Sequence, residues 1–156
     1  ISIILIVSFG ASAQDEDRAI GLRTSAGNYG FGPEISYHHG MGSMNRVELG
    51  IGIARDRNFD RFGVGGSYHW MGEVQNGFSW FAGPSVQGWI YSYSSIVSVN
   101  NAVGGAVGAQ FGVEYDFNEE LDLPFTASLD SKPMFNFVNY YSGFEFAVGL
   151  SIRYTF

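Results

Sequence analysis

The sequence predicts an all-β fold in which eight antiparallel strands form an up-and-down barrel, and three observations support this prediction. From Arg18 onward, large apolar residues recur at every second position, which is the period of a β-strand. The chain holds 22 Gly and 14 Phe but no Cys, which favours an aromatic sheet and excludes disulfide scaffolds and thiolate zinc sites. No helical periodicity interrupts the alternation, and 156 residues suit one domain.

The first segment is predicted to be a targeting signal. Residues 1–13 form an apolar run that ends in an Ala-x-Ala pattern at Ala11 and Ala13, which is typical of a secretory signal peptide, here a partial one. We therefore expect an exported chain whose barrel domain, residues 14–156, begins at Gln14. A short buried strand is the alternative for this segment. After residue 13 no run of about 18 apolar residues follows, so a membrane could be crossed only by strands.

The alternation divides the rest of the chain into eight segments. The clearest is the last, where large apolar residues from Phe144 to Phe156 alternate with small or polar ones. A second clear segment, 102–117, has Val107 and Phe111 on one face and Gln110 and Glu114 on the other. The predicted strands are about 18–26, 31–38, 46–54, 61–70, 78–90, 102–117, 122–129 and 143–156.

The connections between these strands are predicted to alternate in length. The links 71–77 and 118–121 are short, whereas 91–101 and 130–142 are long. This alternation is typical of an up-and-down barrel with one compact end, and an even strand number puts both termini at that end. The loop 130–142 contains Met134 and four aromatic residues, so it is either a surface for a protein partner or an extension of the strands.

The two faces of the strands predict that the apolar face points outward into a membrane. The opposite face carries mainly Gly, Ala and Ser with isolated charges, and the single Lys, Lys132, falls in the predicted loop 130–142. A soluble barrel would instead need a face rich in charged residues. Charged residues make up 15% of the chain, against about 25% in a typical soluble domain. A soluble, lipocalin-like ligand-binding barrel is the alternative.

Aromatic residues are predicted to form two outward bands, one at each end of the barrel. Such bands are typical of the two lipid–water interfaces of a membrane. The band at the short-turn end consists of Tyr37, Tyr68, Trp70, Phe78, Trp80, Tyr115, Phe117, Phe125, Tyr154 and Phe156. The band at the other end consists of Phe31, Phe62, Trp89, Tyr91 and Phe144.

The inward face collects charges that we expect to pair. If the first hairpin turns about the Asn28–Tyr29 bond, Arg23 lies opposite Glu34 and Leu22 opposite Ile35. Side chains can fill the lumen of an eight-stranded barrel, and buried charges need partners. The sequence therefore predicts an interior ion-pair network that plugs the lumen, with a small-solute pore as the alternative. The network consists of Arg23, Glu34, Arg46, Glu48, Glu114, Glu145 and Arg153.

Other residues suggest weaker sites. Ser67, His69 and Glu73 allow the hypothesis of an outer-leaflet lipid-modifying enzyme, although we predict no catalytic, metal or cofactor site. His38 and His39 are expected to belong to a turn. A net charge of -7 disfavours binding to nucleic acid.

One connection, 55–61, is rich in Arg. Its basic residues Arg55, Arg57 and Arg61 are candidates for contact with lipopolysaccharide phosphates, although a solvated hairpin tip with internal ion pairs is the favoured interpretation.

The pattern resembles the small outer-membrane β-barrel proteins of Gram-negative bacteria, with the OmpA-type barrel as the architectural relative. Residues 123–133, Gly-Phe-Glu-Phe at 143–146 and Ser-Ile-Arg-Tyr-Thr-Phe at 151–156 are similar to the last hairpin of barrel proteins common in the Bacteroidetes. The resemblance is strongest over 111–156 and only architectural before that.

This resemblance implies an outer-membrane location with periplasmic termini and contact with lipid and lipopolysaccharide. It also implies that Tyr154 and Phe156 form the signal read by the barrel-assembly machinery. Such proteins share a fold rather than one activity. The resemblance therefore implies a non-enzymatic protein that acts structurally, or that binds a partner or joins a complex through its loops. No peptidoglycan-binding domain follows the barrel in these residues, so the cell-wall role of OmpA-type proteins is not implied.

Overall fold

The computed structural model describes residues 18–28, 30–55, 60–95, 98–137 and 143–156, with side-chain environments outside 30 and 91–102. The predicted signal peptide, residues 1–13, lies outside the described residues. Among those residues, no helix is long and apolar enough to cross a membrane.

The described residues form a closed barrel in which consecutive strands are antiparallel neighbours and β1 pairs with β8. The predicted fold class is therefore confirmed. The strands are β1 (Arg18–Gly27), β2 (Gly30–Gly40), β3 (Asn45–Arg55), β4 (Asp60–Gln75), β5 (Phe78–Ser95), β6 (Ser98–Asp116), β7 (Phe125–Phe137) and β8 (Gly143–Thr155).

Two strand pairs extend further than predicted. β5 and β6 stay paired as far as Ser95 and Ser98, so most of the predicted long link 91–101 is strand. β7 continues to Phe137, so residues 130–137 of the predicted loop 130–142 belong to the barrel wall, and residues 138–142 lie outside the described residues. The predicted alternation of link lengths is wrong here, because the strands continue through both predicted long links, in the second case through Lys132 and Pro133.

The links at the end that holds Arg18 and Thr155, the turn end, differ in construction. Asn76 and Gly77 join β4 to β5, and their φ angles of 50° and 78° suit a two-residue hairpin turn with positive φ at both positions. Between β6 and β7 the chain forms a one-turn helix, α1 (Asn118–Leu121), which the strand alternation did not predict. Residues 41–44 connect β2 to β3.

The first hairpin has the register that its numbering predicts. Arg23 lies opposite Glu34 and Leu22 opposite Ile35, with Gly27 and Gly30 flanking the turn. Across the closing seam, Arg23 lies opposite Ser151 of β8. Arg23 is buried and therefore points into the lumen that the neighbouring strands also enclose.

The two faces of the barrel have opposite polarity. The outward face is apolar throughout, with Leu22 and Ile152 exposed over 66% and 60% of their surface. Most buried residues are polar or charged, and the hydrophobic ones in the described part of the chain are Ala19, Phe81, Trp89, Ala106 and Met134. This distribution is the inverse of a soluble core and matches a barrel that faces lipid.

Aromatic rings cluster on the outward face near both ends. At the turn end, ring contacts join Tyr68 to Trp70, and Tyr154 to both Phe125 and Phe156. The far end carries Phe31, Phe62, Phe135, Phe137 and Phe144, all exposed.

One predicted member of the far band is wrong. Trp89 is buried, because the outward residues of β5 have even numbers and position 89 faces the lumen. The Tyr91 side chain lies outside the described residues.

Candidate functional site

The lumen holds a network of charges drawn from most strands of the barrel. Between the two open ends, five cations face five carboxylates among the described residues. The cations are Arg23, Arg46, Arg61, Lys132 and Arg153. The carboxylates are Glu34, Glu48, Glu114, Asp130 and Glu145. All seven residues predicted for the interior network point inward, and Arg61, Asp130 and Lys132 join them.

Glu48 and Arg153 occupy the centre of the network. Arg153 donates to the Glu48 Oε2 atom at 3.1 Å and to the hydroxyls of Ser36 and Ser128 at 2.8 Å each. The same Glu48 oxygen lies 2.7 Å from His38 Nε2, and its Oε1 atom accepts from Lys132 Nζ at 3.3 Å. Buried charges are stable only when they are paired and hydrogen-bonded, and these two groups meet both conditions.

Arg23 pairs mainly with a residue that the sequence placed in a loop. Its guanidinium donates two bonds to Asp130, at 3.0 and 2.6 Å, whereas Glu34 lies 3.7 Å away. Asp130 and Lys132 reach the lumen because β7 continues to Phe137, eight residues beyond the predicted end at residue 129. The predicted Arg23–Glu34 pair is therefore the weaker of two contacts made by Arg23.

Toward the turn end the network continues through Arg46. Its Nη1 atom donates to Glu114 Oε1 at 2.6 Å, and its Nε atom donates to His69 Nδ1 at 3.2 Å. His69 Nε2 in turn lies 3.1 Å from the Gln110 side-chain oxygen, and the Gln110 amide reaches Glu48 at 3.3 Å. The Arg46 guanidinium also lies 4.7 Å from the centre of the Phe81 ring.

Toward the far end of the lumen, the network ends at Arg61. It donates two bonds to Glu145, at 3.1 and 3.2 Å, and lies 4.2 Å above the Trp89 ring. The prediction that Arg61 contacts lipopolysaccharide is wrong, because its side chain points inward. Arg55 is exposed and donates to Asp60 at 2.9 Å, and Arg57 lies outside the described residues.

Glycines on the lumen face make room for these charges. A Cβ atom at Gly149 would overlap the Arg23 guanidinium, and one at Gly50 would overlap the Glu34 carboxylate. At Gly112 a Cβ would lie 2.8 Å from the Asp130 Cβ. At Gly50 and Gly149, the missing side chain therefore provides the space that these charged groups occupy.

Two cavities lie on either side of the central network. The far cavity, between Arg23, Arg61 and Glu145, has a volume of about 60 Å³, and Lys132 and Trp89 also line it. The cavity at the turn end has a volume of about 570 Å³ and is lined by residues of both the strands and α1. The network therefore divides the lumen into a narrow half and an open half.

The histidines and serines do not form a catalytic arrangement. Ser67 is hydrogen-bonded to Ser85 at 2.8 Å, while His69 bonds to Arg46 and Gln110, so the two residues of the proposed catalytic pair contact other partners. His38 lies in strand β2 and faces Glu48, which corrects its expected place in a turn. In the described part of the chain, no group of three His, Cys, Asp or Glu is placed to hold a metal ion.

Comparison with known proteins identifies the fold. The chain resembles the crystal structure of Neisserial surface protein A, with 17% identity, a TM-score of 0.64 and coverage of 90% of this chain and 96% of that one. It also resembles the N-terminal β-barrel domain of Pseudomonas aeruginosa OprF, with 16% identity, a TM-score of 0.66 and coverage of 90% and 97%.

A third solved structure has the same fold. Yersinia pestis Ail, the attachment invasion locus protein, in complex with the heparin analogue sucrose octasulfate, matches with 10% identity, a TM-score of 0.57 and coverage of 92% and 100%. No family model matches the chain. No curated protein sequence matches it either. These likenesses establish the architecture of small outer-membrane barrels.

Proposed function

We propose that the protein is a non-enzymatic outer-membrane barrel whose lumen is plugged, and that it acts structurally or through its exposed loops. The observation that carries this proposal is the one-to-one match of buried cations and carboxylates around Glu48 and Arg153. In a low-dielectric lumen, opposite charges attract far more strongly than in water, so the network resists opening. The apolar outward face and the two aromatic bands suit a location in lipid.

The same geometry argues against the two other functions. An open aqueous channel belongs to barrels of about 16 strands, whereas eight strands leave a lumen that side chains fill. A lipid-modifying enzyme needs an activated nucleophile, but Ser67 bonds only to Ser85 among the described residues, and His69 lies in a network with Arg46.

The two ends of the barrel carry the residues that we assign to lipopolysaccharide contact and to barrel assembly. We assign the turn end to the periplasm and the far end to the exterior, where Arg55 is a candidate contact for lipopolysaccharide phosphate. Phe156 donates its backbone N–H to the Arg18 carbonyl at 2.8 Å and stacks on Tyr154 at the seam between first and last strands. This pair of rings is the proposed signal for the barrel-assembly machinery.

Planar-bilayer recording tests the plugged lumen directly. Purified protein should show no stable channel, since the network occupies the middle of the lumen. The double variant Glu48→Gln, Arg153→Gln removes both charges of the central pair and shortens the side chain at position 153, so it should admit small leak currents. Steady, ohmic conductance of nanosiemens size from the unmodified protein would make a pore the better description.

Deletion of Phe156 tests the assembly signal. The shortened chain should lose the heat-modifiable gel migration of a folded barrel in isolated outer membranes, whereas Phe137→Ser, a change at an exposed aromatic of the other end, should keep it. Normal migration of the shortened chain would contradict the assignment of this residue.

A further inference from the structure

The cavity at the turn end, which we call the turn-end cup, is built unlike the rest of the lumen. Its volume of about 570 Å³ falls in the range of pockets that hold small organic molecules. Its floor contains Arg46 and Glu114, both buried, and its wall contains Thr126 of β7. Exposed Glu73 and Glu119 stand at its mouth. The cup thus joins a buried polar floor to an acidic rim.

Several buried polar atoms that line this cup have no hydrogen-bond partner. Thr126 is 7% exposed and points into the lumen, yet its hydroxyl, the only polar atom of its side chain, is unpaired. On the floor, Arg46 Nη2 and Glu114 Oε2 are also without hydrogen bonds, and Arg153 Nη1 lies 3.7 Å from that oxygen. Buried polar groups are normally satisfied, so a donor, an acceptor and a hydroxyl left open in one cavity indicate a ligand.

The chemistry of the open atoms restricts the class of ligand. Arg46 Nη2 can only donate and Glu114 Oε2, when ionised, can only accept, so a group that serves both must donate and accept, as a hydroxyl does. The rim of the cup selects for charge instead, because its described lining residues include the carboxylates of Glu73, Asp116 and Glu119. Their field favours a positive charge at the mouth.

We propose that the turn-end cup binds a hydroxylated organic cation of the amino-sugar class. Its hydroxyl groups occupy the floor between Arg46, Glu114 and Thr126, and its ammonium group lies at the mouth near Glu73 and Glu119. The cup opens at the turn end. Binding in it therefore does not depend on whether ions pass through the centre of the lumen.

Calorimetric titration of the purified full chain in detergent tests this site. The probe is the β-1,4-linked dimer of glucosamine, and its N-acetylated form is the comparison, because acetylation removes the positive charge and keeps the ring hydroxyls. We expect saturable binding of one amine dimer per chain and binding of the acetylated dimer about tenfold weaker. Absence of saturable binding, or equal binding of both dimers, would overturn the proposal.

Matched variants separate the cup from a general effect of charge. Thr126→Val should weaken binding about threefold or more by removing a hydrogen bond, whereas Thr24→Val, the same change at an unpaired hydroxyl outside the cup, should leave it unaltered. Glu119→Gln should weaken binding about fivefold, and Asp122→Asn, an equal charge change just beyond α1, should not.

The relative losses of affinity in these variants distinguish a specific site from general adsorption. Equal losses in Thr126→Val and Thr24→Val, or in Glu119→Gln and Asp122→Asn, would sink the site and leave only adsorption to an acidic protein. Glu119 is exposed and lies in a one-turn helix, so its variant keeps the test decisive even if a change at Thr126 disturbs folding.

Discussion

The centre of the lumen and its turn end use the same kinds of residue in opposite ways. In the centre, each guanidinium or ammonium group meets a carboxylate, and the cavity beside it measures only about 60 Å³. At the turn end the carboxylates outnumber the cations among the described lining residues, and the cavity reaches about 570 Å³. Charge balance together with close packing fills one region, whereas charge excess with open space suits the other to binding.

Residue size explains part of this difference. The long side chains of Arg23, Lys132 and Arg153 meet in the centre, where glycines such as Gly149 make room for them. The lining of the turn-end cup includes Ala19 and several glycines from strands and turns, which leave the space open. Long side chains fill the centre of the lumen, and the small residues in the lining of the cup leave part of the turn end open.

The largest expected effect comes from breaking the central network at Glu48. Glu48→Gln removes the carboxylate that Arg153, Lys132 and His38 share, so it should cost about 3–5 kcal/mol of unfolding free energy. Urea unfolding of the protein folded in lipid vesicles measures this change. Glu73→Gln in the cup is the control and should change stability by less than about 0.5 kcal/mol. Similar losses at both positions would remove the distinction between the two regions.

A slightly smaller effect is expected from a charge on the outer wall. Val148 is an outward residue of β8 far from either end, and Val148→Arg should cost about 2–4 kcal/mol if that wall faces lipid. Leu121→Arg in α1, at the turn end, should cost about 1 kcal/mol or less, because it lies beyond the strands. Vesicle-based unfolding reports both values, and a harmless Arg at position 148 would contradict a lipid-facing wall.

A double-mutant cycle can identify the partner of Arg23. We expect a coupling of about 2 kcal/mol between Arg23→Gln and Asp130→Asn, since two short bonds join these groups. Coupling with Glu34→Gln should stay below about 1 kcal/mol, because that contact is 3.7 Å long. The reverse order would restore the pairing that the first hairpin suggested.

The smallest expected effect is the loss of stability when a methyl group is added beside the Arg23 side chain. Gly149→Ala would push against the Arg23 guanidinium and should cost about 1–2 kcal/mol through overpacking. Gly66→Ala should be close to neutral, because its nearest neighbour would be 3.6 Å away in ordinary contact. Thermal unfolding of both variants in the same detergent compares them, and an unaffected Gly149→Ala would show that Arg23 can move freely.

Most of the architecture could be predicted from the two-residue period, because each strand must present one face to lipid and one to the lumen. The register of the first hairpin followed from the same rule and from the position of its turn. The Asn76–Gly77 turn carried a clear signal that the predicted link 71–77 overlooked, since Asn-Gly favours positive φ at both residues.

The candidate site was harder to predict, because its residues meet only in three dimensions. Asp130 and Lys132 were missed because Pro133 resembles a loop residue. In the barrel Pro133 lies opposite Phe146 of β8, while the described pairing of β7 with β6 lapses between Ser131 and Met134 and resumes in the same register. Proline cannot donate to a strand ladder, so a gap on one side is the expected compromise. The turn-end cup had no sequence signal, since it arises from the shapes of turns.

The long sequence separations within the plug have a consequence for how the chain reaches its native state. Arg153 of β8 bonds to Ser36 across 117 positions and to Glu48 across 105, and Arg23 reaches Asp130 across 107. Early hairpins alone would hold unneutralised charges beside an apolar medium, so stepwise insertion of strand pairs is energetically opposed. The final strand supplies the missing counter-charges, which makes completion of the ring and entry into lipid a single, slow, cooperative event.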